Sequence, residues 1–467
     1  MNKYQKYMSA MRTGHLSRLI RLISVSRLRL SAALCLAVTV VLLLGCFSAE
    51  PSLLDSGKPY ADDYRKVPLS MGGSEAPLLR VVLPYEKRLP RAASPFGPGM
   101  DEELLEQFLA GNKYEVRLYY ARTYVEAMDL LKDKRGDLAI GFGGELSAAR
   151  SEYLAQSRAY ASVYPVLVKD AGSAEHVYSN ISHGGLSSQI APVNQLLDPH
   201  TYSVLAPQHP DLLIQGNLNE SVAYRWFWSA DNRELGERLE AFWADESRED
   251  SLAELRERYH GFMPRKSRQN DLRELAGVIS EKMEQYNGAI MKAAEETGMD
   301  PLLIAAVIFQ ESRFDPQARS STGVRGIMQL TTSTANMLNV DRLDPEQCIL
   351  GGARYLSDLR RSLEDLDISE WDRWCLALAA YNQGPANLRK ALRLADAEGK
   401  GKSWAEMRGL YAKLAVSGTA GKNFRHKEAL SYVESVRYYY YVMSRLAVVA
   451  ELENKNLAPL LGLTAAS

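Results

Sequence analysis

An apolar run from Leu302 to Phe309 is opened by Asp300-Pro301 and stopped at Gln310-Glu311-Ser312-Arg313. Asp can cap a helix and Pro is tolerated at its first position, so the run predicts a helix with a carboxylate near its far end. Glu311 sits one turn beyond Val307 and Ile308, where its carboxylate can lie over apolar surface. A carboxyl held there resists ionising and can stay protonated near neutral pH, as a general acid requires. Ser320, Gly323, Gly326, Met328 and Gln329 follow, with two glycines where the backbone must turn tightly or approach a ligand. A lone Glu at a helix end is ordinarily just solvated. This one is followed by three further stretches of matching character.

ESRFDPQA at 311–318, SSTGVRGIMQLT at 320–331, Ala380-Tyr381-Asn382-Gln383-Gly384 and Glu428-Ala429-Leu430-Ser431-Tyr432-Val433 occur in that order. Four such motifs together resemble the soluble lytic transglycosylase (goose-lysozyme-like) domains, over about residues 278–452. The resemblance implies an all-α lysozyme-like fold in which Glu311 is the catalytic group. It also implies that Ser320, Met328, Gln329, Tyr381, Asn382 and Tyr432 line a glycan groove. Amides and phenols can bond sugar hydroxyls and N-acetyl groups, and Met and Tyr supply apolar wall. For Tyr432, a bond to Glu311 or substrate and simple core packing both stand open. Ile327 occupies a position where Leu is commoner in the family, a volume-conserving change.

Most glycosidases use two carboxylates. Asp315 lies one turn beyond Glu311, but Asp-Pro is a common turn opener and predicts a structural role. The family resembled here uses a single Glu, which protonates the glycosidic oxygen and then accepts a proton from the muramyl C6 hydroxyl. That implies a non-hydrolytic reaction ending in a 1,6-anhydromuramyl product. The rival enzyme reading is a hydrolytic muramidase, and the rival class is a non-catalytic wall-binding or sensor lipoprotein.

The chain has 467 residues, which suggests two to three domains, and 46% of them are hydrophobic, ample for buried cores. A net charge of −1 gives no polyanion-binding signature, so nucleic acid is not an expected partner. Only seven histidines are present and none clusters with Cys as a zinc site needs; no metal or cofactor is expected.

Arg12, Arg18, Arg21, Arg27 and Arg29 precede an uncharged apolar stretch from Leu30 to Leu44. A basic segment followed by an apolar one too short for a comfortable membrane span reads as a signal peptide, with an uncleaved anchor as the alternative. It ends Leu43-Leu44-Gly45-Cys46, which resembles a bacterial lipobox and implies cleavage before Cys46 and acylation of it. Several acyl chains would anchor stably where one alone would be marginal. Phe47 after the cysteine, with no Asp there, resembles lipoproteins sent to the periplasmic face of the outer membrane. Of the four cysteines, Cys348 and Cys375 remain after Cys35 and Cys46; they are open to a disulfide or to two buried free thiols.

The expected organisation is a signal peptide at 1–45, a tether at 46–76, a first domain at 77–260, a linker at 261–271 and the catalytic domain at 272–467. In the first domain, Leu78–Leu83, Tyr114–Tyr120 and Gly136–Gly141 read as strands alternating with helices at Glu102–Leu109 and Tyr124–Lys132. Such alternation implies a parallel α/β sheet. Asp129 to Gly141, Leu146 to Arg150 and Tyr160 to Val168 resemble one lobe of the family 3 periplasmic solute-binding proteins. The second lobe, between Val168 and Tyr224, looks reduced. The resemblance makes Arg150 a candidate for pairing with the carboxylate of a small ligand, amino-acid-like or a muropeptide; a solvated surface arginine is the alternative. Trp226-Phe227-Trp228 reads as core.

In the second half, Val278–Thr297 predicts one amphipathic helix stopped by Gly298, Asp344-Pro345 opens another, and Trp371–Tyr381 ends before Gly384-Pro385. Residues 395–427, rich in Gly, Lys and Ala, predict a long and partly mobile excursion, and Ala429–Leu452 a closing Tyr-rich helix. Signal, solute-binding-like domain and transglycosylase domain in this order most resemble the membrane-bound lytic murein transglycosylase F family. The expected partners are then peptidoglycan glycan strands, the membrane through the lipid anchor, and a small ligand in the first domain.

Overall fold

The computed structural model describes residues 76–84, 94–170, 180–182, 194–209, 212–264, 268–321, 323–417 and 426–452. The signal segment, Cys46 and the tether up to residue 75 lie outside the described residues.

The first domain begins with β1 (Leu78–Pro84), α1 (Met100–Ala110), β2 (Glu115–Ala121), α2 (Tyr124–Lys132) and β3 (Leu138–Gly143). Strand β1 pairs in parallel with β2 and with β3, as the helical crossovers require. Thr123 caps α2 by accepting from the Glu126 amide at 3.1 Å, and every residue of β3 is buried.

Beyond β3 the expectation of a parallel sheet needs correction. Strands β4 (Leu154–Gln156), β5 (Ala161–Val163) and β9 (Val222–Ser229) extend the sheet, and β9 runs antiparallel to β3, β4 and β5. The physical reason is that no crossover helix separates β3, β4 and β5, and β9 returns from a separate small sheet. That sheet is antiparallel, in the order β7–β6–β8, from β6 (Val166–Asp170), β7 (Asn194–Leu197) and β8 (Leu212–Asn217), with α3 (Pro199–Leu205) beside it in sequence. Trp226, Phe227 and Trp228 of β9 are buried, so they are core. Helices α4 (Arg233–Ala244) and α5 (Arg248–His260) close the domain, with Phe242 stacked on Trp226 at 5.6 Å.

The second half is all helical: α6 (Gln269–Glu281), α7 (Met283–Thr297), α8 (Pro301–Ser312), α9 (Thr332–Leu338), α10 (Pro345–Arg361), α11 (Glu370–Gln383), α12 (Pro385–Ala397), α13 (Trp404–Ser417) and α14 (His426–Leu452). The single helix expected over Val278–Thr297 is two, broken at Lys282, whose φ is −118°. No Gly or Pro marks the break; the Lys282 ammonium there reaches the Arg313 carbonyl at 3.4 Å, so tertiary contact decides it. Gly298 stops α7 at φ 70°.

A second correction concerns 395–427. Helix α13 stands where an excursion was expected, and its Trp404, Met407, Leu410 and Tyr411 are fully buried. Their spacing of three, three and one puts them on one face. The Trp404 amide donates to Asp372 Oδ1 of α11 at 2.7 Å, which ties the start of that helix down. Cys348 and Cys375 are both buried and free, so they form no bridge.

The two halves meet along α14. Tyr438 and Ser203 share a hydroxyl–hydroxyl bond of 2.9 Å, and Arg408 of α13 pairs with Glu257 of α5 at 2.8 Å. Among the described residues no helix is long and apolar enough to cross a membrane.

Candidate active site

Helix α8 places Glu311. Asp300 caps it by accepting from the Leu302 amide at 2.8 Å, with Pro301 at the first position. Leu302 to Phe309 are buried without a break, so α8 is an interior helix enclosed on all sides. Its end is sharp: Arg313 and Phe314 both adopt left-handed backbone, φ 54° and 59°. Arg313 holds that conformation with a bond from Nη1 to the Phe309 carbonyl at 2.6 Å, with its guanidinium 4.2 Å above the Phe309 ring and with Nε 3.2 Å from Glu274. Glu311 is therefore in the last turn of a rigid helix, partly buried.

Its neighbour comes from far away in sequence. Tyr432 of α14, 4% exposed, donates from its hydroxyl to Glu311 Oε1 at 2.7 Å. Burial pushes the Glu311 pKa from 4.5 up to about 7, against the opposing pull of the Tyr432 hydrogen bond. Burial likewise holds the Tyr432 and Tyr381 phenols well above the usual tyrosine range, with the charge of Glu311 adding to both shifts. Both phenols thus remain donors at any ordinary pH.

The loop after α8 is fixed from several directions. Ser312 Oγ donates to the Ile327 carbonyl at 2.7 Å, and Tyr381 of α11 donates to the Met328 carbonyl at 2.9 Å. Gly326, at φ 86°, comes so close to the Arg342 carbonyl that an added Cβ would sit 2.0 Å from it. Gly352 of α10 lets the loop pack directly on that helix, since a Cβ there would meet Met328 Sδ at 2.5 Å. Met328 is consequently fully buried. Gln329, at φ 50°, donates from Nε2 to the Ala318 and Gly326 carbonyls at 3.0 and 2.9 Å. Ser320 Oγ accepts from the Val324 amide at 3.3 Å, inside its own turn. Asn382 follows Tyr381 on α11, and its buried Oδ1 has no hydrogen-bond partner among the described residues.

Glu311, Tyr432, Tyr381 and Met328 thus form one connected cluster. Asp315 stands outside it: it is exposed, and its Oδ1 accepts from the Gln317 amide at 2.9 Å, closing the turn that the Asp-Pro pair predicts. Arg150 lies in the other domain, its guanidinium 5.4 Å from the Tyr124 ring. Sequence reasoning missed Ser312 and Gly352. Ser312 lies within the motif that contains Glu311, but its bond to Ile327 spans a loop that only the fold closes. The Gly351-Gly352 pair inside a predicted helix was a usable signal for close packing.

Residues 288–403 match the family model described as the transglycosylase SLT domain. A protein named membrane-bound lytic murein transglycosylase F 2 from Alkalilimnicola ehrlichii is 35% identical over 265 residues, 56% of this chain and 57% of that one. Membrane-bound lytic murein transglycosylase F of Shewanella sediminis is 34% identical over 288 residues, 60% of this chain and 58% of that one. The chain thus spans a little over half the length of these relatives. Among solved structures, a substrate binding protein of an amino acid ABC transporter aligns over 39% of this chain and 99% of that one, at 10% identity. Its TM-score is 0.28.

Proposed function

We propose that this protein, whose residues 288–403 match the transglycosylase SLT domain model, is a peptidoglycan lytic transglycosylase, acting on the β-1,4 bond between N-acetylmuramic acid and N-acetylglucosamine. The observation that carries the reading is the state of Glu311, a partly buried carboxyl with a pKa of about 7 and a single tyrosine hydroxyl on Oε1. Such a group can both give and take a proton near neutral pH.

Glu311 donates its proton to the bridging oxygen as the C1–O bond of the muramyl residue breaks. The carboxylate left behind faces a sugar with positive charge developing at C1. The muramyl C6 hydroxyl attacks C1, and its proton passes to Glu311, which returns to its starting state. No water is consumed, and a 1,6-anhydro end forms. Tyr432 steadies the carboxylate between the two transfers, because a hydrogen bond to the ionised form favours it. Tyr381 acts at one remove, holding the Met328 carbonyl and so the loop beside the acid. Ser320, Gln329 and Asn382 are the polar groups of the glycan groove. Met328 contributes packing beneath the loop.

The lipid anchor at Cys46, the periplasmic face of the outer membrane and a small-ligand role for the first domain, with Arg150 as its carboxylate partner, belong to the same proposal. Their support is the lipobox-like Leu43-Leu44-Gly45-Cys46 and the solute-binding-like motifs.

Solubilisation of purified sacculi by the intact protein and by two variants tests the assignment of Glu311. Glu311→Gln keeps shape but cannot transfer a proton, and should lose about 10²- to 10⁴-fold in rate or more. Asp315→Asn keeps the turn and should stay within about twofold, since exposed substitutions of this kind shift little. An Asp315 variant as impaired as the Glu311 variant would refute the single-carboxyl reading.

A further inference from the structure

In the loop after α8, the backbone amides and carbonyls of Ile327 and Met328 are taken up by side chains of α8, α10 and α11. Ser312 of α8 donates to the Ile327 carbonyl at 2.7 Å, and Tyr381 of α11 donates to the Met328 carbonyl at 2.9 Å. The amides remain, and neither donates to a backbone carbonyl among the described residues. Both donate instead to the thiol sulfur of Cys348 on α10, which the Leu330 amide also reaches.

Ile327, Met328 and Cys348 are all fully buried. A buried amide without an acceptor is costly, so even a weak sulfur acceptor counts here. The packing is close, since a Cβ added at Gly326 would stand 3.1 Å from the Cys348 sulfur. Burial raises the thiol pKa against the pull of these amides, so the sulfur accepts as a neutral thiol, free of any disulfide. The same contacts lie beside the acid. Ser312 is the residue after Glu311, and the charge of Glu311 acts on both the Cys348 thiol and the Tyr381 phenol. The titratable groups around Glu311 are thus Tyr432 from α14, Tyr381 from α11 and Cys348 from α10. Directly after Met328 comes Gln329, held at φ 50°.

We propose that Cys348 and Ser312 are positioning residues for the reaction, gripping the amide and the carbonyl of Ile327 so that the loop stays fixed against Glu311. The inference rests on the transglycosylase reading above. Cys348 acts only as a hydrogen-bond acceptor and takes no covalent part. Released from either grip, the segment shifts, Gln329 moves with it, and water gains access to the acid. Small displacements of groups that hold substrate are enough to slow a reaction.

Amide hydrogen exchange over residues 325–330 and the pH profile of sacculus solubilisation, both on the full chain, test this together. In Cys348→Ala and in Ser312→Ala, exchange should quicken and the rate at limiting substrate should fall, each by about five- to tenfold, the worth of one hydrogen bond. The alkaline limb should also move down from about 7, because a better-solvated carboxyl ionises earlier. Cys348→Ser restores an acceptor and should keep slow exchange, rate and limb close to the parent's. A merely space-filling role predicts the reverse order, since a hydroxyl suits an apolar pocket less well than a methyl. Serine as impaired as alanine therefore overturns the proposal, and so does a loosened loop with rate and limb unchanged. Ser312→Ala, at a partly buried position, keeps the test decisive if Cys348→Ala folds poorly. A parent protein that releases no muropeptide would instead overturn the transglycosylase reading, and the exchange measurement, which needs no activity, would still decide whether Cys348 holds the loop.

Discussion

The hydroxyl of Tyr432 donates to Oε1 of Glu311 at 2.7 Å across 121 positions of chain. Two consequences follow from that contact. The closing helix is part of the acid's environment, and the carboxyl is held between opposing influences: burial, which raises its pKa, and the phenol, which lowers it.

The first prediction concerns pH. Glu311 ionises near 4.5 when exposed and near 7 when folded, so the acid form needed for the first transfer disappears as pH rises through about 7. The alkaline limb of the rate profile should sit there. Stability follows the same group. The unfolded chain loses this proton first, so the contribution is fully present below pH 4.5 and is lost as pH rises to about 7. The difference between those limits is about 3 kcal/mol at about 1.4 kcal/mol per pH unit. Chemical unfolding of the parent and of Glu311→Gln from pH 4 to 8 should show a pH-dependent loss in the parent that the variant lacks; equal curves would contradict the raised pKa.

Tyr432→Phe isolates the hydrogen bond. Removing a donor that favours the ionised carboxylate should raise the Glu311 pKa further and move the alkaline limb upward. A bond of about 1 kcal/mol corresponds to a little under one pH unit. The peak rate should fall, because the carboxylate left after the first transfer has lost its support. A limb that moves down, or stays still, would show that the phenol does not act on the acid.

Gly326→Ala should disable the loop without touching the acid. The new Cβ would lie 2.0 Å from the Arg342 carbonyl, at a φ of 86° that suits glycine. Left-handed strain and overpacking against a backbone atom together should cost about 2–5 kcal/mol. Thermal unfolding checks this; a variant of unchanged midpoint would mean the loop is less tightly held than Ser312 and Tyr381 suggest.

Much of this geometry was legible before the structure, and the exceptions have physical causes. Asp300-Pro301 and Arg313 mark the ends of α8 because caps are local chemistry, carried by the side chains at the boundary. Helix α13 was hidden because Gly399, Lys400, Gly401 and Lys402 precede it and give loop character to a stretch whose Trp404, Met407, Leu410 and Tyr411 then form a buried stripe. The direction of β9 was illegible for a different reason: strand alternation records which faces are buried and says nothing of which neighbour the strand returns to. Motif order made Tyr432 a candidate but left a bond to Glu311 and simple core packing both open; no local pattern links residues on α8 and α14, so the fold decides it. Met328 was expected to line a groove and is instead fully buried, because Gly352 lets α10 come close enough to cover it.

The central claim is that one carboxyl performs both proton transfers and that no water enters the products. Mass spectrometry of muropeptides released from sacculi by the intact protein tests it most directly, because a 1,6-anhydro end is one water lighter than a reducing end. Anhydro ends as the main product, lost together with rate in Glu311→Gln, is the predicted result. Reducing ends as the main product would contradict it and identify a hydrolase.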